Sequence, residues 1–211
     1  HVGERVAAQV DLDRLRAIAD SAPAREAPDE HPAPAAGVQV RVAIAHDPAF
    51  GFYYSEDLDA LRASNVELIE LDTLHADTLP DVDGLIIGGG FPEVFMAELE
   101  ANVSLRSRIR RAIEAGLPTY AECGGLMYLS RRLDWQGKHC EMVGVVPGDT
   151  VMHDRPVGRG YARLQPTGDD RWQETAPIPA HEFHYSSLEN LPADSIYAYQ
   201  VKRGHGIDGV H

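Results

Sequence analysis

The chain has 211 residues, of which 44% are hydrophobic and 25% are charged, as expected of a globular protein with a buried core. Its formal net charge of −14 argues against nucleic-acid binding and against attraction to an anionic membrane surface. The sequence has no apolar run near the roughly 18 residues of a membrane span and no signal-peptide core, so we expect a cytoplasmic protein without a membrane partner. In that reducing compartment the two cysteines, Cys123 and Cys140, are expected to be unpaired.

The first 37 residues differ in character from the rest. Apolar residues at nearly helical spacing predict one amphipathic helix over residues 4–20. Four prolines among alanines and acidic residues are typical of a semi-rigid linker over residues 21–37. A globular domain is therefore expected over residues 38–211. Because the chain begins with His1 rather than Met, we expect it to be a piece of a longer protein, with residues 1–20 as the end of a preceding domain.

Strands and helices alternate over residues 38–135. The pattern predicts strands at Val38–His46, Val66–Leu71, Val82–Ile87 and Pro118–Glu122. It predicts helices from Ser55 to about Ser64, from Pro92, from Ser104 to Gly116 with Ile109 and Ile113 facing the core, and after Cys123 to about Leu133. Beyond Trp135, β segments are predicted at residues 141–146, 160–164, 180–186 and 195–201. This order predicts an α/β fold with a doubly wound, mostly parallel sheet, helices on both faces and a β-rich C-terminal part.

Cys123 lies between a predicted strand and a predicted helix, with Ala121 two residues before it and Gly125 two residues after it. Small residues at those positions are typical of a nucleophile elbow, a tight turn that exposes the nucleophile at the start of a helix. A helix N-terminus favours the thiolate, so we predict an ionised Cys123 and a Gly124 amide placed to donate to an oxyanion. The alternative is that Cys123 is a small buried core residue, as many free cysteines are.

A second glycine turn follows the strand predicted at Val82–Ile87. Gly88, Gly89 and Gly90 precede the predicted helix start, so their amides can point at a negative oxygen. Alone, this turn fits a phosphate site or a tight bend equally well. Together with the elbow, Gly89 and Gly90 are expected to supply the second donor of an oxyanion hole. The two turns should lie side by side, because the carboxyl ends of parallel strands meet at one edge of the sheet.

Five sequence blocks together resemble one enzyme family. They are Asp47–Tyr54, Gly88–Glu93, Ala121–Leu129, Met142–Pro147 and His181–Ser186. From about Val40 onward the chain resembles the class I-like glutamine amidotransferase domain of cobyrinic or hydrogenobyrinic acid a,c-diamide synthases. The resemblance implies a flavodoxin-like fold and a glutaminase in which Cys123 attacks the carboxamide of glutamine. Amides near Gly89, Gly90 and Gly124 would stabilise the oxyanion, and water would resolve the γ-glutamyl thioester.

The resemblance also implies a two-domain enzyme of cobalamin biosynthesis. A preceding ligase domain, of which residues 1–20 would be the end, would use ATP and Mg to activate carboxylates of cobyrinic or hydrogenobyrinic acid and amidate them with the released ammonia. No cofactor or metal is expected in the present domain. The family's catalytic base is a histidine expected in a block after Gly206–His211, so the resemblance predicts a domain truncated at its C-terminus.

Three further residues are candidates for a supporting role. Glu93 and Glu122 are expected to orient the two turns, and a capping or solvated role fits Glu93 equally well. His181 and His184 lie three residues apart on a predicted strand and should face opposite sides of the sheet. His184 is the candidate to approach the cleft, with a structural hydrogen-bonding role as its alternative. A zinc site is rejected because the cysteines and histidines lack ligand spacing.

Several alternatives stay open on the residues alone. The aromatic cluster of Phe50, Phe52, Tyr53 and Tyr54 predicts either a pocket or docking surface, or packing beneath a loop. The chain as a whole also fits a non-catalytic amidotransferase-like binding or scaffold module. It fits, too, the amidotransferase domain of a related tetrapyrrole amidase acting on cobyric acid or nickel-sirohydrochlorin, or a cysteine hydrolase of the same architecture.

Overall fold

The structure, a computed structural model, describes residues 2–23, 37–168 and 176–209. The chain divides into two compact units, residues 1–32 and 33–211. Most of the linker predicted over residues 21–37 lies outside the described residues.

The first unit contains two short helices, α1 (Val2–Gln9) and α2 (Leu12–Asp20). The prediction of one continuous helix over residues 4–20 is therefore wrong. The chain breaks at Asp11, whose carboxylate accepts a hydrogen bond from the Arg14 amide at 2.9 Å and so begins a second helix. An aspartate in this place competes with helix continuation by capping, a local signal that the apolar spacing concealed.

The second unit contains the remaining helices and all the strands of the described residues. Its helices are α3 (Ser55–Ala63), α4 (Met96–Ala101), α5 (Val103–Glu114) and α6 (Gly124–Leu129). Its strands are β1 (Val40–Ala45), β2 (Phe50–Phe52), β3 (Val66–Leu71), β4 (Gly84–Ile87), β5 (Gly89–Gly90), β6 (Thr119–Ala121), β7 (Arg132–Trp135), β8 (Lys138–Glu141), β9 (Asp149–Met152), β10 (Gly158–Pro166), β11 (Ile178–His184), β12 (Ser186–Glu189) and β13 (Tyr199–Arg203).

The parallel sheet has the order β3-β1-β4-β6 and confirms the predicted α/β architecture. Ala43, Ala45, Leu85 and Ile87 are almost fully buried in it, as strands covered on both faces require. Leu99, Leu105 and Ile109 of the helices α4 and α5 complete this core. Ile87 pairs with Ala121, so the turns after β4 and β6 begin side by side.

The β-rich C-terminal part predicted from the sequence forms two further sheets. β7, β8, β9 and β12 make a four-stranded sheet of order β12-β9-β7-β8, and β10, β11 and β13 make a three-stranded sheet of order β11-β10-β13. Strands β7, β8 and β9 were not predicted within these bounds. The helix predicted to about Leu133 ends at Leu129, because Ser130 leaves the helical conformation and the following residues pair as β7.

Two helix starts also differ from prediction. The helix predicted from Pro92 begins at Met96, because residues 92–95 form hydrogen-bonded turns in place of a first helical turn. The helix predicted to be capped by Ser104 is capped by Asn102, whose side-chain oxygen accepts a hydrogen bond from the Leu105 amide at 3.2 Å. Ile109 is fully buried and Ile113 packs against the core, as predicted.

Candidate active site

The turn that carries Cys123 is strained. Cys123 has φ 51° and ψ −114°, a region that side-chain-bearing residues rarely adopt, and α6 begins at the next residue. The Gly125 amide donates to the carbonyl oxygens of Gly88 at 3.0 Å and Glu122 at 2.8 Å. A Cβ atom on Gly125 would overlap the Ile87 carbonyl. A small residue is therefore required at this position because helix and strand approach each other closely.

The glycine turn is held by a strand pair that the sequence pattern did not show. β2 and β5 pair in antiparallel fashion, with Phe50 opposite Gly90, and the Phe91 amide donates to the Ala49 carbonyl at 2.9 Å. A Cβ atom on Gly90 would overlap that same carbonyl. Gly90 is thus fixed against the loop after β1, which sets the direction of its amide.

The two turns converge on the sulfur of Cys123. The amides of Gly90 and Gly124 both act on it as hydrogen-bond donors that lower the pKa of its thiol. A Cβ atom built on Gly124 would lie 3.0 Å from the Gly90 nitrogen, and one built on Gly89 would lie 3.8 Å from Cys123 Cβ. Two main-chain donors therefore surround the place where an oxyanion would form if the sulfur attacked a carbonyl carbon.

The protonation state of Cys123 differs from the prediction. The residue is exposed, yet the protein around it displaces enough water to raise the pKa of the thiol above its usual value. The amides of Gly124 and Gly90 act in the opposite direction without outweighing this loss of hydration, and the charges of Glu122 and Glu93 raise the pKa further. This direction opposes the prediction of an ionised Cys123 at rest and favours the neutral thiol at pH 7.

Cys123 borders a cavity of about 420 Å³, a volume within the range of small-molecule sites. Its lining is mostly apolar, with Leu126, Met127 and Leu188, and includes the polar residues Ser186 and His184. A mostly apolar cavity with a nucleophile at its edge and a few polar groups suits a small polar substrate held in one orientation.

His184 and Glu182 form a hydrogen-bonded pair in the wall of this cavity. His184 Nδ1 donates to the Ser186 carbonyl at 2.7 Å, and its Nε2 lies 3.4 Å from a Glu182 carboxylate oxygen. Burial alone would raise the pKa of Glu182, but hydrogen bonds from the Gly206 and His205 amides and the contact with His184 lower it. Both ring nitrogens of His184 therefore have partners within the protein.

His181 and His184 differ as predicted for alternate positions of a strand. His181 is exposed and lies edge-on to Tyr161, with 6.0 Å between ring centroids. His184 is half-buried, and both histidines border the cavity. In the described ranges, 2–23, 37–168 and 176–209, no group of three His, Cys, Asp or Glu residues is arranged to hold a metal ion.

The two candidate glutamates differ in their surroundings. The Tyr120 hydroxyl donates to Glu122 at 2.5 Å, and burial together with this carboxylate raises the pKa of Tyr120 to about 12. Burial also raises the pKa of Glu93, and its Oε2 has no hydrogen-bond partner among the described residues. Both carboxylates are close enough to influence the Cys123 thiol electrostatically.

Sequence reasoning missed the hydrogen-bonding roles of two residues that shape the site, Tyr53 of the aromatic cluster and Asp47. Tyr53 donates from its hydroxyl to the Ala45 carbonyl at 2.6 Å and accepts from the Gly88 amide at 2.9 Å, so it connects the end of β1 to the glycine turn. Asp47 accepts from the amides of Ala49 at 2.7 Å and Phe50 at 3.2 Å. The Asp-Pro pair at 47–48 is a turn signal that could have indicated the second of these roles.

The aromatic cluster is divided between the two predicted roles. Phe50 is fully buried against Tyr128, with ring centroids 5.5 Å apart, and so packs beneath the loop. Phe52 and Tyr54 are exposed, and Phe52 lies edge-on to the exposed Phe91 at 5.1 Å.

Over the described residues, no helix is both long and apolar enough to cross a bilayer.

Comparison with known proteins gives consistent matches. A sequence model of the CobB/CobQ-like glutamine amidotransferase domain matches residues 41–211. A cobyrinate a,c-diamide synthase of Magnetococcus marinus is 46% identical and covers 100% of this chain and 46% of the relative. Synthases of the same name from Methanosarcina acetivorans and Archaeoglobus fulgidus are each 39% identical, covering 95% and 99% of this chain and 44% and 46% of the relatives. The chain thus spans about half the length of the curated relatives it matches.

Solved structures agree on the fold. A glutamine amidotransferase superposes with a TM-score of 0.54 at 16% identity, covering 81% of this chain and 89% of the other. A glutamine amidotransferase from Thermotoga maritima superposes with a TM-score of 0.53 at 14% identity, covering 78% of this chain and 68% of the other. The predicted class I amidotransferase-like α/β fold is confirmed. On the sequence match over residues 41–211, the chain belongs to the CobB/CobQ-like glutamine amidotransferase domain family.

Proposed function

We propose that this chain is the glutaminase part of a glutamine-dependent amidotransferase, with Cys123 as its nucleophile. The observation that carries the proposal is the convergence of the Gly90 and Gly124 amides on the Cys123 sulfur at the edge of the cavity. Cys123 attacks the carboxamide carbon of glutamine, and the two amides stabilise the resulting oxyanion. The C–N bond breaks, ammonia leaves, and water hydrolyses the γ-glutamyl thioester to glutamate.

The attack requires a proton acceptor, because the resting sulfur carries its proton. Transfer of that proton to a positioned base is the usual solution for a cysteine nucleophile. His184 is in the cavity wall, but its two ring nitrogens are held by Ser186 and Glu182. We therefore assign the base to a histidine outside the described residues and give the His184–Glu182 pair the role of shaping the cavity. Glu93 and Glu122 are assigned to positioning the two turns.

The names of the curated relatives supply the acceptor in this proposal. They are cobyrinate a,c-diamide synthases, so the ammonia released here would amidate two carboxylates of cobyrinate or hydrogenobyrinate in cobalamin biosynthesis. ATP and Mg would act in a ligase domain outside this chain, with residues 1–20 as its end and residues 21–37 as the linker. The free thiols of Cys123 and Cys140 suit the reducing cytoplasm in which we place the enzyme.

The test is amidation by the natural full-length protein with two nitrogen donors. Cys123→Ala should abolish glutamine-dependent amidation of cobyrinic acid and leave the reaction with added ammonia intact, because ammonia bypasses the thioester. Cys140→Ala is the matched control, since Cys140 is buried in β8 and should leave the use of glutamine unchanged. Glutamine-dependent amidation by the Cys123→Ala protein would overturn the assignment.

A second candidate is a non-catalytic binding module, which the raised pKa of Cys123 favours. Both functions share one expectation: alkylation of Cys123 by iodoacetamide should rise with pH, with a midpoint above the roughly 8.5 of a free thiol. They differ in the intermediate. Incubation with glutamine followed by rapid acid quench should add one glutamyl group to the Cys123 peptide in mass spectra of the glutaminase. A non-catalytic module would show no such addition.

A further inference from the structure

The segment that follows β13 closes one side of the Cys123 cavity. Residues 204–207, called here the rim segment, belong to no helix or strand, although Gly206 and Ile207 both border the cavity. A segment outside the sheets lacks the ladder of main-chain hydrogen bonds that keeps a strand in place. The position of the rim segment must therefore come from bonds to other parts of the fold.

One end of the rim segment is held by the carboxylate of Glu182 on β11. Its Oε1 accepts a hydrogen bond from the His205 amide at 2.7 Å, and its Oε2 accepts one from the Gly206 amide at 2.9 Å. The Glu182 side chain is only 13% exposed, so water competes little for these bonds. Hydrogen bonds to a carboxylate are stronger than those between neutral groups. One side chain thus fixes two successive amides of the cavity wall.

The other end of the rim segment is held by β12. The amide of Leu188 donates to the Ile207 carbonyl at 3.0 Å, and Leu188 is itself buried. Strands β11 and β12 belong to different sheets. The rim segment therefore spans the gap between two sheets, and Glu182 supplies its attachment to the first of them.

The surroundings of Glu182 leave room for its carboxylate and little else. A Cβ atom on Gly204 would lie 2.7 Å from Glu182 Oε1, and one on Gly158 would lie 2.7 Å from Oε2. Either atom would displace the carboxylate from the rim segment. Since His184 Nε2 lies 3.4 Å from Oε2, both carboxylate oxygens have partners inside the protein. This arrangement suits a group that holds main chain in place rather than one that reacts.

We propose that Glu182 is a positioning residue of the glutaminase, which keeps the rim segment against the cavity so that glutamine is held in one orientation beside Cys123. The inference rests on the proposed function, which places glutamine in this cavity, and it adds a residue that acts without touching the reacting atoms. Removal of the carboxylate frees the His205 and Gly206 amides and loosens that side of the cavity. Reaction with the bound substrate is then slower, because attack requires the carboxamide carbon to lie close to the sulfur.

The kinetic test uses Glu182→Gln in the natural full-length protein. Glutamine has nearly the same size, but its amide nitrogen would face one of the two N–H donors, which loses a hydrogen bond and opposes two donors. We expect kcat/KM for glutamine to fall at least about tenfold, equivalent to about 1.4 kcal/mol, mainly through a higher KM. The reaction with added ammonia should be unchanged. Glu98→Gln, at an exposed glutamate of α4 outside the cavity, is the control and should leave both reactions unchanged.

Hydrogen exchange measures the same attachment without any substrate. In Glu182→Gln the peptide that covers residues 204–207 should exchange its amide hydrogens faster than in the unaltered protein, whereas the peptide that covers β4 should not. Glu182→Asp keeps the charge on a shorter side chain, so its exchange rate and its KM for glutamine should fall between those of the other two proteins. If Glu182→Gln does not fold, Glu182→Asp carries both comparisons.

The possible results separate this inference from its alternatives. A raised KM for glutamine with unchanged exchange in the rim segment would mean that the carboxylate binds glutamine itself, and would overturn the positioning role. An equal loss with glutamine and with ammonia would indicate a general structural role and also overturn it, as would faster exchange with unaltered glutamine kinetics. The glutaminase proposal fails by a different result, namely use of glutamine by Cys123→Ala.

Discussion

The hydroxyl of Tyr53 is the most informative single group to remove. It links two main-chain positions on different turns, the Ala45 carbonyl and the Gly88 amide. Both positions are buried, so neither group gains a water molecule in exchange. Burial raises the pKa of Tyr53, so the hydroxyl keeps its proton and donates at every working pH. Tyr53→Phe deletes this link and retains the ring that packs on Gly88.

The cost follows from the two groups left without partners. Each buried polar group that loses a hydrogen-bond partner costs about 1–3 kcal/mol, so Tyr53→Phe should lower the free energy of unfolding by about 2–6 kcal/mol. For a protein of this size, that corresponds to a Tm lower by roughly 4–24 °C. The glycine turn should also loosen, which would displace the Gly90 amide from the Cys123 sulfur and lower kcat for glutamine more than kcat for ammonia.

The assay is urea unfolding of both variants beside the donor comparison described for Cys123. Tyr54→Phe is the matched control, because the neighbouring Tyr54 is 77% exposed and loses the same atom. We expect Tyr54→Phe to change the unfolding free energy by less than about 0.5 kcal/mol. If the two variants unfold at the same urea concentration, the hydroxyl does not hold the turn and the reasoning is refuted.

Two further predictions concern the elbow and the acid stability of the second unit. Gly125→Ala should lower the unfolding free energy by about 1–3 kcal/mol or prevent folding, since its Cβ would overlap the Ile87 carbonyl. Gly51→Ala is the control, because a Cβ there would make only an ordinary contact of 3.8 Å with the Asp47 carbonyl oxygen. Equal stability of the two variants would contradict the close approach. Asp149→Asn should cost about 1.5–3 kcal/mol at pH 7, because the buried carboxylate binds Arg131 at 3.0 Å. Burial alone would raise the pKa of Asp149, but hydrogen bonds from Asn190 and Arg131 and the charge of Arg132 lower it. The stabilisation is therefore complete above the unfolded pKa of about 3.9 and disappears as pH falls through the lower folded value. The difference in unfolding free energy between wild type and variant should therefore be smaller in acid than at pH 7. An equal difference at both pH values would exclude this linkage.

The sequence carried enough information to locate the elbow because its constraints are local. Strand, tight turn and helix start lie within eleven residues, and the need for a small side chain at Gly125 is visible in the spacing alone. The parallel sheet was predictable for a similar reason. Its strand β3 was predicted with the observed bounds, since β-branched and aliphatic residues run from Val66 to Leu71 with only two glutamates between them.

Contacts between distant residues left no such pattern. The pairing of Phe50 with Gly90 joins positions 40 residues apart, and a glycine pair has no hydrophobic periodicity to reveal a strand. The pKa of Cys123 was missed for a related reason. The helix N-terminus is a local feature, whereas the loss of water around the sulfur depends on elements brought together only by the fold.

The positive φ of Cys123 makes stability and chemistry competing demands at one position. Glycine adopts φ near 51° without steric cost, so Cys123→Gly should relax the backbone and yield a sturdier protein that lacks the proposed nucleophile. A β-branched replacement such as threonine would be the worst tolerated there. Selection for robustness alone would thus replace this cysteine, and its presence in so unfavourable a conformation marks the turn as one kept for use rather than for folding.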